Sequence, residues 1–560
     1  MGDKTNNSEV LLRLYRLLVS SKQYITSIYI YALFGGILSL SIPLGIQAII
    51  GFITSGQLSA SWIVLVFLVV LGIILSGIMQ VMQLTVTENL QQKIFAHASF
   101  EYAYRLPRLN LKYLVGKHVP EIANRFFETA AIQKGISKLL IDFSSASLQI
   151  IFGLILLSFY HPFFIVFSVL LIVSIYLILR FTTSAGIQTS LGESKYKYYI
   201  AYWLEEVART MGVYKVNQTA GLPLAKTDDF LKEYLSYRKK HFKILKFQFY
   251  NMVAFKAAIA AGILLLGGYL VMERQMNVGQ FVASEIIILM VLSSVEKMIL
   301  SLSTVYDVLT ALEKYGQVTD LPLDDTKVND GYKGEGESGI ALKIENLNFT
   351  FPDGKQLLTE FSLEIEKGQR YSIVGENASG KSFLLQCLAG MRSDYQGSIL
   401  FNNVAMQNWN KDELRQRVAL SQETSQLFFG SIYENISLGR KNIGIEEVIT
   451  VAKLVGLNDE IQHLKDGFDC ILEPEGKNVS SKARVLIMLC RALVTNPDFL
   501  LVEDYSHQLS GEENEELFHR IVRVYPKMGW MAVVKHVFTT KLFDKEIVMS
   551  KGKIVTQNSK

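Results

Sequence analysis

Charge and cysteine are both scarce in this chain. Of its 560 residues only 19% are Asp, Glu, Lys or Arg, and 56 basic against 52 acidic side chains leave a net charge of +4. So small an excess gives no electrostatic footprint for a nucleic-acid partner, and none is expected. The three cysteines, Cys387, Cys470 and Cys490, all fall in the second half. None forms a CxxC pair, so they read as reduced core residues in the cytosol. The opening segment MGDKTNNSEVLLRLYRLL lacks the basic-then-apolar run and small-residue cleavage site of a secretory signal. It reads instead as an amphipathic helix, residues 1–22, lying on a membrane surface.

What the chain has in excess is apolar length. Half of it is hydrophobic, and its mean hydropathy of +0.25 is too high for an ordinary soluble protein. The apolar residues form long blocks before Asp320, whereas after Gly339 the composition is that of a soluble domain. Six blocks approach the roughly 20 apolar residues a membrane helix needs: 24–53, 62–84, 143–160, 163–179, 252–272 and 281–302. A single block could be a buried soluble helix. Six of them, two joined only by His161-Pro162, read as a transmembrane domain over 23–319.

The connections differ in charge. TSGQLSA after the first block and the His161-Pro162 hairpin carry no Lys or Arg, and the link near Glu273-Arg274 is short. Residues 87–141 carry Lys93, Arg105, Arg108, Lys112, Lys117, Arg125, Lys134 and Lys138, and 186–247 end in RKKHFKILK. The positive-inside bias places these long segments, both termini and the soluble half in the cytoplasm. Their apolar spacing is helical, so they are expected to prolong the membrane helices. Glu285 sits inside the sixth block, with Glu296 and Lys297 about three turns on. An ionisable residue there is a candidate for lining a substrate cavity; an internal salt bridge or a hydrated outer position are the alternatives.

Residues 320–340, DLPLDDTKVNDGYKGEGESGI, are polar, without periodicity, and read as a linker to a domain over 341–560. The strand-like LKIENLNFTF and FSLEIEKGQRYSIVG lead into GENASGKS, which is Gly375, Glu376, Asn377, Ala378, Ser379, Gly380, Lys381 and Ser382. This fits GxxxxGK[ST], a loop whose backbone N–H groups wrap phosphate oxygens, with Lys381 reaching the outer phosphates and Ser382 a Mg²⁺ ion. The next helix, opening at Phe383, aims its positive end at the same anion.

The order of the remaining segments resembles the ATPase domain of ABC transporters. With six spans before it, nearly the whole chain resembles an ABC exporter half-transporter: an all-α membrane domain followed by an α/β P-loop ATPase domain. The resemblance implies ATP and Mg²⁺ as ligands. It implies Phe351 in NFTFPDG as the adenine-stacking ring. Gln422 in RVALSQETSQ would sense the metal and the attacking water, and His536 in AVVKHVFTT would be the switch histidine. LSIPLGIQAIIGFI and NVGQFVASEII are similar to segments of type I secretion and bacteriocin-export transporters. Those usually carry a further N-terminal peptidase or peptidase-like domain; none precedes the first span here, so leader-peptide processing is not expected. A periplasmic adaptor and an outer-membrane channel are implied as partners, alongside membrane lipid.

Two stretches depart from that family. Its LSGGQ signature aligns with Val479-Ser480-Ser481-Lys482-Ala483, where both glycines are missing. Side chains at Ser481 and Lys482 crowd the approach to the γ-phosphate, although Lys482 could itself contact it. The strand FLLVED ends Glu503-Asp504, the reverse of the usual Asp-Glu, so Glu503 stands at the Mg²⁺ position and Asp504 at that of the residue polarising water. His507-Gln508-Leu509-Ser510 replaces SALD, and Ala378 replaces a loop glycine. The expectation is an ATP-binding exporter subunit moving a peptide, protein or other amphipathic cargo, with slow hydrolysis. A homodimer is favoured slightly over a heterodimer, and a bacterial inner membrane is the expected location. The alternatives are a scaffold or regulatory subunit using ATP as a structural ligand, and a lipid or drug flippase. An importer is disfavoured, because its membrane and ATPase parts are usually separate chains.

Overall fold

The computed structural model describes residues 7–55, 60–217, 221–324, 331–334, 338–351, 353–422, 427–503, 505, 508–534 and 542–559. The chain divides into two units: Met1–Leu109 with Gly116–Pro322, and Asn110–Val115 with Leu323–Lys560.

The first unit is helical. Helix α1 (Asn7–Ser20) packs Val10 inward and leaves Leu11, Leu12, Tyr15 and Val19 exposed. The first apolar block is two helices, α2 (Lys22–Ser39) and α3 (Ser41–Thr54), broken at Leu40. Hydropathy alone marks one block here, and Pro43 explains the break. A proline has no N–H to give the carbonyl four residues back and its ring clashes with it; that residue is Ser39, the last of α2. Then follow α4 (Ala60–Arg105), α5 (Val119–Asn124), α6 (Glu128–Tyr160), α7 (Phe163–Arg209), α8 (Met211–Asn217), α9 (Gly221–Met272), α10 (Val278–Leu300) and α11 (Leu302–Thr319).

Among the described residues six segments are long and apolar enough to cross a membrane: Lys22–Thr54, Ala60–Arg108, Val119–Tyr160, Phe163–Arg209, Gly221–Met272 and Val278–Thr319. Each contains one expected block. The 47 residues of α7 reach about 70 Å at the helical rise, against about 30 Å of hydrocarbon, so a long polar portion continues each of the longer spans. Small residues let helices close up. A Cβ on Gly153 of α6 would come within 2.5 Å of Val291 on α10. Of the three charged residues on α10, Glu296 pairs with Lys256, and Lys297 lies 3.9 Å from Asp142. Glu285 is half-buried and makes no hydrogen bond or ion pair with any described residue.

The second unit is α/β. Strands β1 (Leu342–Thr350), β2 (Gln356–Ile365), β4 (Gln396–Phe401) and β5 (Val404–Ala405) form an antiparallel sheet in the order β2-β1-β4-β5. A second sheet is built from β3 (Arg370–Gly375), β6 (Val418–Ser421), β9 (Phe499–Val502), β10 (Gly529–Val533), β11 (Lys545–Ser550) and β12 (Lys553–Ser559). Its order is β12-β11-β3-β10-β9-β6, parallel except at β12. FLLV in β9 and GWMAV in β10 are buried throughout, as strands covered on both faces must be. The covering helices are α12 (Lys381–Leu388), α13 (Lys411–Arg417), α14 (Ile432–Ser437), α15 (Ile445–Val455), α16 (Leu457–Ile461), α17 (Ser481–Leu493) and α18 (Gly511–Val524). A short ladder joins β7 (Gly430–Ser431) to β8 (Ile471–Leu472). In such a sheet ligands gather at the carboxyl ends of the strands. Here β3 ends at Gly375, β6 one residue before Gln422 and β9 one residue before Glu503.

Candidate functional site

The loop leaving β3 is shaped by close contacts. A Cβ on Gly375 would fall 2.2 Å from the Met549 carbonyl oxygen, so no other residue fits. Gly380 caps α12 at φ +101°, and Ala378 is held at φ +62° although it carries a Cβ. Glu376 and Asn377 are exposed between them, while Ser379 is buried. Lys381 folds back into the loop: Nζ donates to the carbonyls of Gly375 at 2.7 Å and Glu376 at 2.6 Å, and to Ser379 Oγ at 3.1 Å. The first N–H groups of α12 have no helical partner, and the helix dipole is positive there.

Two oxygen-bearing side chains meet beside that end, and a third, Gln422, follows the neighbouring strand. Ser382 Oγ, on the first turn of α12, donates to Glu503 Oε1. The Glu503 N–H donates to the Ser421 carbonyl at 2.9 Å, which ties the end of β9 to the end of β6. Gln422 follows Ser421 and is 2% exposed, yet its Nε2 has no partner among the described residues. A buried amide nitrogen without a partner is rare in a folded protein; as a donor it suits a phosphate or water oxygen, and only Oε1 of this side chain could meet a cation. Hydroxyl, carboxylate and amide oxygens are the donor set of a hard divalent cation, so Ser382, Glu503 and Gln422 suit Mg²⁺.

The remaining predicted residues are placed unevenly. Phe351 is half-buried at the end of β1, its ring edge-on to Phe349 at 5.1 Å. Phe383 is turned into the core, 4.1 Å from Phe349, so only its backbone amide can face an anion. Asp504 and His536 lie outside the described residues. Tyr505, next in sequence to Asp504, is not among the expected site residues. It is fully buried and its hydroxyl donates to Ser421 Oγ, a second tie between the strand ends.

The signature segment is brought to a different environment. Ser480 is the N-cap of α17 and accepts from the Ala483 N–H at 3.0 Å, while its own hydroxyl donates to Glu460 at 3.0 Å. Ser481 Oγ accepts from Arg484 at 2.8 Å. The Lys482 ammonium sits between Glu513 at 2.9 Å and Glu460 at 3.2 Å. Glu513 also accepts from the Ser510 N–H, closing the capping box of α18. The Lys482 ammonium, with the Ser510 bonds behind it, holds the Glu513 carboxyl down at about 2. The hydrogen bond to Glu513 in turn raises the Lys482 pKa. The capping pattern Ser510-x-x-Glu513 is visible in the sequence; its link to Lys482 is not.

Residues 25–295 match the family model for the ABC transporter transmembrane region, and residues 358–505 match that for the ABC transporter itself. The chain belongs to the ABC transporter family. In that family it is an exporter-type half-transporter, with a membrane domain and an ATPase domain in one chain. It is therefore an integral membrane protein with a nucleotide-binding domain. The leukotoxin export ATP-binding protein LtxB of Aggregatibacter actinomycetemcomitans is 28% identical over 299 residues. The alpha-hemolysin translocation ATP-binding protein HlyB of Escherichia coli is 28% identical over the same length. Each match takes in 52% of this chain and 41% of the relative. A bacterial Atm1-family ABC exporter with ATP bound shares the fold, with a TM-score of 0.87, 18% identity, and coverage of 96% of this chain and 95% of that one.

Proposed function

We propose that this chain is an ATP-binding exporter subunit that moves a peptide, protein or other amphipathic cargo across a bacterial inner membrane and hydrolyses ATP slowly. The observation that carries the reading is the convergence of Lys381, Ser382 and Glu503 at the start of α12. In this reading the loop N–H groups and Lys381 hold the phosphates, Phe351 stacks on the base, and Ser382, Glu503 and Gln422 hold Mg²⁺. The metal supplies neutralisation of phosphate charge. Asp504 polarises the attacking water and His536 orients it. Residues 1–22 form a surface helix, 23–319 the membrane domain, 320–340 the linker and 341–560 the ATPase domain, with both termini cytoplasmic. Two such chains pair, a homodimer being favoured, since the alterations in Glu503-Asp504 and in the signature would spoil half of each site in a heterodimer too. The names of the toxin-exporting relatives support a secreted protein cargo and, with it, an adaptor and an outer-membrane channel.

The proposal of slow hydrolysis rests on side-chain length in the sequence. Asp504 is one methylene shorter than glutamate, and a displacement near 1 Å costs about 10²-fold in rate. The test is thermal stabilisation of the purified chain by Mg-ATP together with steady-state phosphate release. Stabilisation with turnover well below one per second is expected. No stabilisation at millimolar nucleotide would sink the reading. A second reading, a scaffold that uses ATP structurally, is favoured by Lys482, whose ammonium is engaged by Glu460 and Glu513. Cargo transport into inverted vesicles under ATP separates the two.

A further inference from the structure

A cavity of about 560 Å³ lies in the first unit between α1 and the polar end of α4. Its α4 wall is a stripe at four-residue spacing, Lys93, His97, Glu101 and Arg105, which one helix face must present together. Arg13 and Arg16 face it from α1. Its floor is apolar and buried: Ile94, Ala98, Ile132 and Leu312.

The charges are not balanced internally. Arg13 is used by Glu313 at 2.7 Å and Asp320 at 2.6 Å, and Arg105 by Glu101 at 2.9 Å, which also lies 3.5 Å from His97. Lys93 donates only to a neutral carbonyl, that of Ser20 at 3.0 Å, and lies over the Tyr24 ring. Arg16 makes no ion pair or hydrogen bond with any described residue. Two cations thus face the cavity without a counter-charge. A third observation is independent of charge. Thr129 lines the cavity, is 1% exposed, and its Oγ1 has no partner among the described residues. A buried hydroxyl in that state is costly unless a ligand meets it.

We infer that this cavity binds the headgroup of an acidic phospholipid. The phosphate answers Arg16 and Lys93, a headgroup oxygen answers Thr129, and the first methylenes of an acyl chain cover the floor. The setting suits a lipid. The outer face of α1 exposes Leu11, Leu12, Tyr15 and Val19, the apolar side of a helix that lies in a bilayer interface, with Arg13 and Arg16 on its other side. A bare phosphate would meet the same cations but gain nothing from the floor. The inference rests on the membrane location alone and is independent of nucleotide chemistry.

The test uses the full chain in detergent, titrated with short-chain phosphatidylglycerol, short-chain phosphatidylcholine or inorganic phosphate while thermal unfolding is followed. Phosphatidylglycerol alone should raise the midpoint saturably. Arg16→Ala and Lys93→Ala should each weaken its half-saturation about fivefold. Arg16 is exposed and unpartnered, so its removal does not threaten the fold. Thr129→Val supplies a control of opposite sign: the unliganded midpoint should rise, because an unmet hydroxyl is gone, while the response to lipid falls. An equal response to phosphatidylcholine, an equal saturable response to inorganic phosphate, or an unchanged response in Arg16→Ala would each overturn the proposal.

Discussion

Helices α12 and α17 begin with the same physical device and use it oppositely. Each starts with N–H groups that have no acceptor within the helix, at its positive end and next to a lysine. At α12 the preceding loop keeps Gly375 and Gly380, where a side chain would strike backbone, and Lys381 donates to the loop's own carbonyls of Gly375 and Glu376. At α17 the opening is answered from within: Ser480 caps it, and Lys482 lies against Glu460 and Glu513. A helix N-terminus binds an anion only if the protein leaves it unsatisfied. The first keeps its loop clear of side chains at Gly375 and Gly380, whereas the second is closed by its own side chains.

The largest expected effect breaks the open side. Lys381→Ala removes the one side-chain cation that the loop carbonyls position, and should abolish the thermal shift produced by Mg-ATP. A shift of undiminished size would mean that the nucleotide is held elsewhere.

The next test opens the closed side. Ser481→Gly, Lys482→Gly and Ala483→Gln, combined with Glu503→Asp and Asp504→Glu, should raise phosphate release by about 10²-fold or more. Asp504→Glu alone should not, since groups that act as one catalytic unit are strongly non-additive. A wild-type rate of several per second, ordinary for an enzyme, would show that the chain works through another geometry.

A smaller effect concerns what holds α17 shut. The Glu513 carboxyl is kept at about 2 rather than the usual 4.5, chiefly by Lys482. A depressed carboxyl contributes its stabilisation fully above the ordinary value and loses it as pH falls from 4.5 towards 2. The pair is open to solvent, so the contribution is under about 1 kcal/mol. Wild type should lose that much across this window, and Glu513→Gln should lose less. Equal acid sensitivity of the two would show that Lys482 is not held by Glu513.

Much of this was legible in the sequence, for a physical reason. A phosphate loop is one contiguous segment, so its spacing carries its geometry, and six apolar blocks carry their own length requirement. Contacts between distant segments do not announce themselves in this way. Glu503 was assigned to Ser382's metal by family resemblance, across 121 residues. Nothing in the sequence said that Lys482 would find Glu513, 31 residues on, or that Tyr505 would reach back to Ser421. The break at Leu40 was readable from Pro43 and was missed because hydropathy, the signal followed there, is blind to a lost backbone donor. The stripe from Lys93 to Arg105 reads as a solvated helix face until α1 is laid beside it.

The smallest effect sharpens the comparison inside the open loop itself. Ala378 stands at φ +62°, where an L-residue pays about 1–2 kcal/mol relative to the right-handed region. Glycine adopts that conformation freely but is more disordered when unfolded, at a cost of about 0.4–1 kcal/mol. The two nearly offset, so Ala378→Gly should stabilise the chain by only about 0.5 kcal/mol and leave nucleotide affinity within about threefold. Ala378→Val should do the reverse and more strongly, because a β-branched residue at positive φ is a genuine outlier. The measurement is the unfolding midpoint of the three chains with and without Mg-ATP. If Val is tolerated as well as Gly, the loop is not held in its strained conformation, and α12 is not pre-shaped for an anion in the way its glycines and Lys381 imply.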